Sequence, residues 1–277
     1  MLKQRVITAL VLVALFLSAL FLLPAGWFCL LVALVVLGAS WEWGNLVGLE
    51  RTSTRLGYVA LTAGILWLTD YLMSGASREV QTRFLASACT WWAIALLWVQ
   101  GFPSSAVLWG NKWVKALMGW FVLVPTWMAM TVLMSEPQYG PLIVLYVVLL
   151  VVLMDTGGYV AGRMFGRRKL APNVSPGKTW AGFFGGLFAN SLLVLATGFA
   201  LGADARLWGL LAVIVGVASC ASVLGDLLES MVKRQRDVKD SGTLLPGHGG
   251  ILDRVDGMTA AFPVFTLLYL LLAEGVL

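Results

Sequence analysis

The stretch GLLAVIVGVASCASVLGDLLESMVK, Gly209 to Lys233, is an apolar run broken at regular intervals by polar residues. A helix needs about 20 residues to cross a hydrocarbon core of roughly 30 Å, so this run can span a bilayer. Ser219, Ser222, Asp226, Glu229, Ser230 and Lys233 follow spacings of three and four, which places them on one face of that helix. An ionisable side chain near mid-bilayer costs on the order of 2.5 to 3.5 kcal/mol on insertion scales. The stripe must therefore face protein or water, as a hydrogen-bonded helix seam or as the wall of a polar site. Seams are usually built from hydroxyls and amides, and two carboxylates with a lysine fit a site better.

Runs of the same kind recur along the chain. Sixty per cent of the 277 residues are hydrophobic and 12 per cent charged, a balance that a soluble domain of this size does not need. The expected fold class is an all-α, polytopic membrane bundle of about nine helices, near 6–23, 27–48, 56–74, 84–101, 113–134, 139–162, 179–201, 206–232 and 257–275. The first run follows Lys3 and Arg5 but lacks a small-x-small cleavage pattern, so it reads as a retained span. Cys29, Cys89 and Cys220 lie in apolar segments without metal or disulfide spacing and read as packing residues. The net charge of +5 comes from short loops, which orientation in a membrane explains better than nucleic acid does. With the N-terminus cytoplasmic, sixteen Lys and Arg fall on the inner face and three, Arg78, Arg83 and Arg206, on the outer.

Chemistry is expected where inner loops are long and charged, Arg163 to Lys178 and Lys233 to Asp256, so residues 1–135 read as scaffold, dimer surface or lipid-facing wall and 136–277 as the catalytic region. Asp155 opens a face shared with Gly158, Gly162 and Gly166. Small residues every fourth position serve close helix packing or close approach of a ligand; packing does not call for the charge. Ser175, Lys178 and Thr179 lead into the seventh helix, where free N–H groups and a partial positive charge suit a phosphate, or where Thr179 is simply a cap beside an ordinary lysine. In the second loop both signs of charge alternate around glycines and the one histidine, His248. Such mixing suits a nucleotide, with cations on phosphates and carboxylates on a divalent metal. Asp253 and Asp256 can point together toward Asp226, and an oxygen-only set suits Mg²⁺ or Mn²⁺ rather than zinc. His248 reads as a phosphate or nucleotide contact or as a structural loop residue. Asp70 and Glu42 read as interfacial or packing residues, and Trp41 and Trp43 as anchors at the membrane interface.

From Ser230 to Asp256 the chain carries Ser-x-apolar-Lys-Arg, four residues, Lys-Asp, then Pro-x-His-Gly-Gly-x-x-Asp-Arg-x-Asp. This resembles the signature of the phosphatidate cytidylyltransferases, also called CDP-diacylglycerol synthases. Asp155-Thr156-Gly157, Gly162-Arg163, Phe165-Gly166-Arg167, Ser175 to Trp180, Gly225-Asp226 and Trp41-Glu42-Trp43 agree as well. Many members carry Glu where this chain has Ala181. The resemblance implies a multi-pass protein of a bacterial-type inner membrane and a Mg²⁺-dependent reaction of CTP with phosphatidic acid that releases pyrophosphate. A second cation such as K⁺ and a homodimer are compatible with it. It implies Asp226 and Asp253 as metal ligands, helped by Asp256 or Asp155. Catalytic roles then go to Asp226, Asp253, Lys239 and Arg254, and substrate contacts to Ser175, Lys178, Thr179, Lys233, Arg234, Asp240, His248, Gly249 and Gly250. A CTP-dependent lipid kinase and a cation or phosphate transporter are the competing readings. Against the transporter, the polar residues crowd one membrane face.

Overall fold

A computed structural model describes residues 2–244 and 249–272. His248 lies outside the described residues. In chain order the elements are α1 (Leu2–Leu22), α2 (Ala25–Val47), α3 (Thr52–Met73), α4 (Arg78–Gln100), α5 (Ala106–Trp109), α6 (Lys112–Met134), α7 (Gly140–Phe165), β1 (Lys169–Ala171), β2 (Ser175–Thr179), α8 (Trp180–Ala200), α9 (Ala205–Gln235) and α10 (Leu252–Leu272). All nine expected helices are present. Among the described residues eight are long and apolar enough to cross a membrane, and α1 holds a shorter apolar stretch, Leu10–Leu22.

Several helices start earlier than hydropathy alone places them. The fourth begins at Arg78 rather than near 84, and the last at Leu252 rather than near 257. Polar residues in a first turn belong to the helix while lying outside the hydrocarbon, so a hydropathy reading counts them as loop. Asp253 and Asp256 therefore sit on the first turns of α10, where chain direction is fixed.

The core is built from facing apolar sides of α2, α4, α6, α9 and α10, with Trp43, Met118, Leu123, Leu228 and Phe262 fully buried. α10 packs on α9, α6, α4 and α7 and so joins the two halves of the chain. α6 is buried along most of its length, whereas α1 and α3 present largely exposed sides. Trp43 is a correction to the interfacial reading. It is 1% exposed and its indole N–H donates to the Lys115 carbonyl at 2.8 Å.

α7 and α8 pack most intimately, glycine against glycine. A Cβ on Gly182 would lie 2.7 Å from the Gly158 carbonyl oxygen, and one on Gly186 2.6 Å from that of Met154. The small-residue face of α7 is thus used for packing. This approach brings Asp155 to the wall of the cavity formed with α8 and α9. The segment between α7 and α8, expected as loop, is a two-stranded antiparallel hairpin that pairs Lys169 with Thr179 and Ala171 with Ser175.

Candidate active site

Residues of α7, the hairpin, α8 and α9 enclose a cavity of about 460 Å³. Asp155 comes from α7, Ser175 and Lys178 from β2, and Asp226 from α9. The Lys178 ammonium lies 2.6 Å from Asp226 Oδ2, with both side chains about a quarter exposed (23% and 26%). Ser230 Oγ donates to Asp226 Oδ1 at 3.1 Å. Asp256, one turn into α10, is close enough to Asp226, Asp155 and Lys178 to interact with all three electrostatically. Three carboxylates thus share one cation, and substrate can reach the pair that lines the cavity.

Lys178 is therefore no ordinary cytoplasmic lysine. Thr179 also lines the cavity; it is 5% exposed and accepts from the Gly182 N–H at 3.1 Å, which makes it the N-cap of α8. Ser175 lines the cavity. Ala181 is half-buried in the first turn of α8.

A second cluster lies at the root of the 236–251 loop. Lys233 bridges Glu229 Oε1 at 2.9 Å and Asp253 Oδ1 at 2.7 Å, with all three side chains at most 11% exposed. Asp253 also accepts backbone N–H groups from Ser241, at 3.0 and 3.2 Å to its two oxygens, and from Gly250 at 2.8 Å. Its carboxylate is already well supplied with donors. Gly249 has φ +81°, in the left-handed region that favours glycine. A Cβ on Gly250 would collide with Ser241 Oγ and the Glu42 carboxylate. Both glycines are needed for the loop's own path around Asp253.

Glu42 of α2, expected as an interfacial or packing residue, is a buried acid that holds backbone and loop groups. It is 2% exposed. Oε1 accepts from the Ile251 N–H at 3.0 Å, and Oε2 accepts from the Leu252 N–H at 2.8 Å and from Ser241 Oγ at 3.1 Å. One carboxylate of the N-terminal half thus satisfies N–H groups at the start of α10 and grips the loop. Its available signal was the Trp41-Glu42-Trp43 element together with the cost of an acid in an apolar run.

The polar stripe on α9 is buried, as expected, but in two styles. Toward the far end it is a seam: Asn190 of α8 donates to Ser219 Oγ at 2.7 Å and to the Leu150 carbonyl at 3.1 Å. Toward the hairpin it is ionic. Arg234 donates through Nε to the Val174 carbonyl at 3.2 Å and ties α9 to the hairpin. Lys239, Asp240 and Arg254 are exposed around the loop. Among the described residues no group of three or more His, Cys, Asp or Glu stands at metal-ligand spacing.

The profile described as "Cytidylyltransferase family" matches residues 3–272. A protein of Pseudomonas aeruginosa named phosphatidate cytidylyltransferase is 42% identical over 270 residues, 97% of each chain. One of the same name from Haemophilus influenzae is 42% identical over 289 residues, 97% of this chain and 99% of its own. A third, from Brucella suis, is 36% identical over 279 residues. Matched over nearly its whole length, and with Asp155 and Asp226 of its C-terminal half on the wall of one cavity, this membrane-spanning chain belongs to the cytidylyltransferase family of nucleotidyl-transferring enzymes.

Proposed function

We propose that the chain is a phosphatidate cytidylyltransferase acting at the cytoplasmic face of a bacterial-type inner membrane. An oxygen of the phosphatidate phosphate attacks the α-phosphorus of CTP. The bond from that phosphorus to the α–β bridging oxygen breaks, pyrophosphate leaves with that oxygen, and CDP-diacylglycerol stays in the bilayer. The nucleophile is already anionic, so no base is required; charge repulsion between two phosphates is the obstacle.

The observation that carries this reading is the Lys178–Asp226 pair on the wall of a cavity bounded by α7, α8, α9 and the hairpin. Lys178, freed from Asp226 by the arriving phosphates, neutralises them, and Ser175 offers a hydroxyl beside it. Lys239 and Arg254, exposed beside the loop, would meet the triphosphate from the water side. Asp253, Lys233, Gly249 and Gly250 hold the loop in position.

The carboxylates fit Mg²⁺. Asp155 and Asp226, from two helices, line one cavity, Asp256 lies within electrostatic reach of both, and a lysine ammonium stands at Asp226 in a cation's place. Mg²⁺ commonly takes only one or two protein carboxylates and completes its shell with phosphates and water, which agrees with the lack of a three-ligand group among the described residues. Asp226, with Asp155 or Asp256, would hold it, and Asp253 would join only by giving up donors that it now accepts. When bound, the ion supplies positive charge against the triphosphate.

The cytoplasmic placement rests on the sixteen-to-three distribution of Lys and Arg, which sets the hairpin and the 236–251 loop inside. Purified protein given CTP, phosphatidic acid and Mg²⁺ is expected to release pyrophosphate only when all three are present. Release of CDP in place of pyrophosphate would assign the site to a lipid kinase. EDTA should abolish turnover and added Mg²⁺ restore it.

A further inference from the structure

We infer that the apolar groove between α4 and α9 seats an acyl chain of the lipid substrate, an assignment that rests on the phosphatidate reading above. The groove, about 570 Å³, is separate from the polar cavity. Trp92 and Leu96 of α4 form one side, Cys220 and Leu224 of α9 the other, and Val264 of α10 part of the floor. Leu96 and Cys220 are exposed, so the groove opens toward lipid.

Three observations separate it from an ordinary lipid-facing surface. First, Leu170, Phe183 and Val223 line both spaces, so the groove and the phosphate cavity are divided by a partition one side chain thick. Second, its α9 wall runs from Val217 to Leu227; at the helical rise of 1.5 Å per residue this is roughly 15 Å, half a hydrocarbon core. Third, its hairpin end carries positive charge. Trp180, in the wall, has the Arg168 guanidinium 6.0 Å from its ring centre, and Val174, also in the wall, holds Arg234 through its carbonyl. Both arginines are exposed. An apolar slot that ends under two guanidinium groups and adjoins a lysine-bearing cavity complements a lipid with an apolar tail and an anionic phosphate. Annular lipid needs neither the arginines nor the partition. The tail thus lies on the α4 side of the hairpin while the phosphate reaches Lys178 past Phe183.

Ala221→Trp fills the groove from α9 without touching the polar cavity, and Cys220→Trp does so from a more exposed position. Pyrophosphate release is measured for both variants with dioleoyl and dihexanoyl phosphatidate in the same micelles. For the long-chain lipid kcat/KM is expected to fall about tenfold or more, and for the short-chain lipid to stay within about twofold of the parent. Equal losses on both lipids in protein with an unchanged melting curve, or no loss on either, would overturn the groove assignment. Should both variants fail to fold, phosphatidate carrying a photoreactive tail decides on the unaltered protein: crosslinks in 92–100 and 217–227 support the assignment, and crosslinks confined to the exposed α7 and α8 faces at Tyr159 and Phe188 refute it. If the unaltered protein turns over neither lipid, the cytidylyltransferase reading itself fails.

Discussion

Two charge clusters lie within one short stretch of α9, and they are built in opposite ways. Around Asp226, three carboxylates face one lysine at the edge of an open cavity. Around Asp253, Lys233 is shared with Glu229, backbone N–H groups fill the remaining positions on the Asp253 oxygens, Glu229 has among the described residues only its ion pair to Lys233, and the charged side chains are nearly dry. A carboxylate that has its donors holds a structure; one that shares a single movable cation can exchange it for a ligand. The same residue types, one to two turns apart on a helix, thus stand in two environments, and on the reading proposed above the Asp226 cluster serves the reaction and the Asp253 cluster the loop.

The sharpest way to break this contrast is Asp226→Asn. Turnover is expected to fall by about three orders of magnitude, on the order of 4 kcal/mol of barrier, while the melting temperature moves little. A fully active Asp226→Asn would remove Asp226 from the site. Lys233→Met should do the reverse. Leaving Glu229 and Asp253 buried without their cation is expected to cost about 3 to 5 kcal/mol of stability, read as a lowered melting temperature; an unchanged melt would mean that the cluster is not the loop's foundation. Glu42→Gln removes one of two oxygens that accept three hydrogen bonds, at a cost of about 1 to 3 kcal/mol. Hydrogen exchange at Ser241, Ile251 and Leu252 should quicken while the α6 amides stay protected. Exchange unchanged at those three positions would show that the loop is held by Asp253 alone. Lys178→Ala is the mildest for the fold, since its ion pair is partly exposed and such pairs contribute about 0 to 1 kcal/mol. Its expected effect is a KM for CTP or phosphatidate raised about tenfold with stability unchanged, and unaltered kinetics for both substrates would reduce Lys178 to a partner for Asp226.

What the sequence made legible follows from the same physics. The α9 stripe could be read because helical spacing aligns its members and charge in a membrane demands a reason. Asp155 was legible on the same ground. The hairpin was not, because strands of three and five residues containing Ser-Pro-Gly are too short to show alternation. Trp43 was misread because an aromatic near a span end suits an interface equally well; only its contact with the Lys115 carbonyl distinguishes the cases. Glu42 was hidden for a different reason. Its partners are backbone N–H groups and a serine some 200 residues away, and peptide groups leave no mark in a sequence.

That long reach bears on how the protein is made. The carboxylate of α2 enters the membrane well before its main donors exist, since Ile251 and Leu252 follow it by 209 and 210 residues. At ribosomal rates of about 5 to 20 residues per second the interval is roughly 10 to 40 seconds. During that time Glu42 must be hydrated or held by a transient neighbour, and it is released from that state when α10 arrives. α10 therefore closes a contact that α2 left open, and a nascent chain in which α10 threads wrongly keeps an acid in its core without these donors.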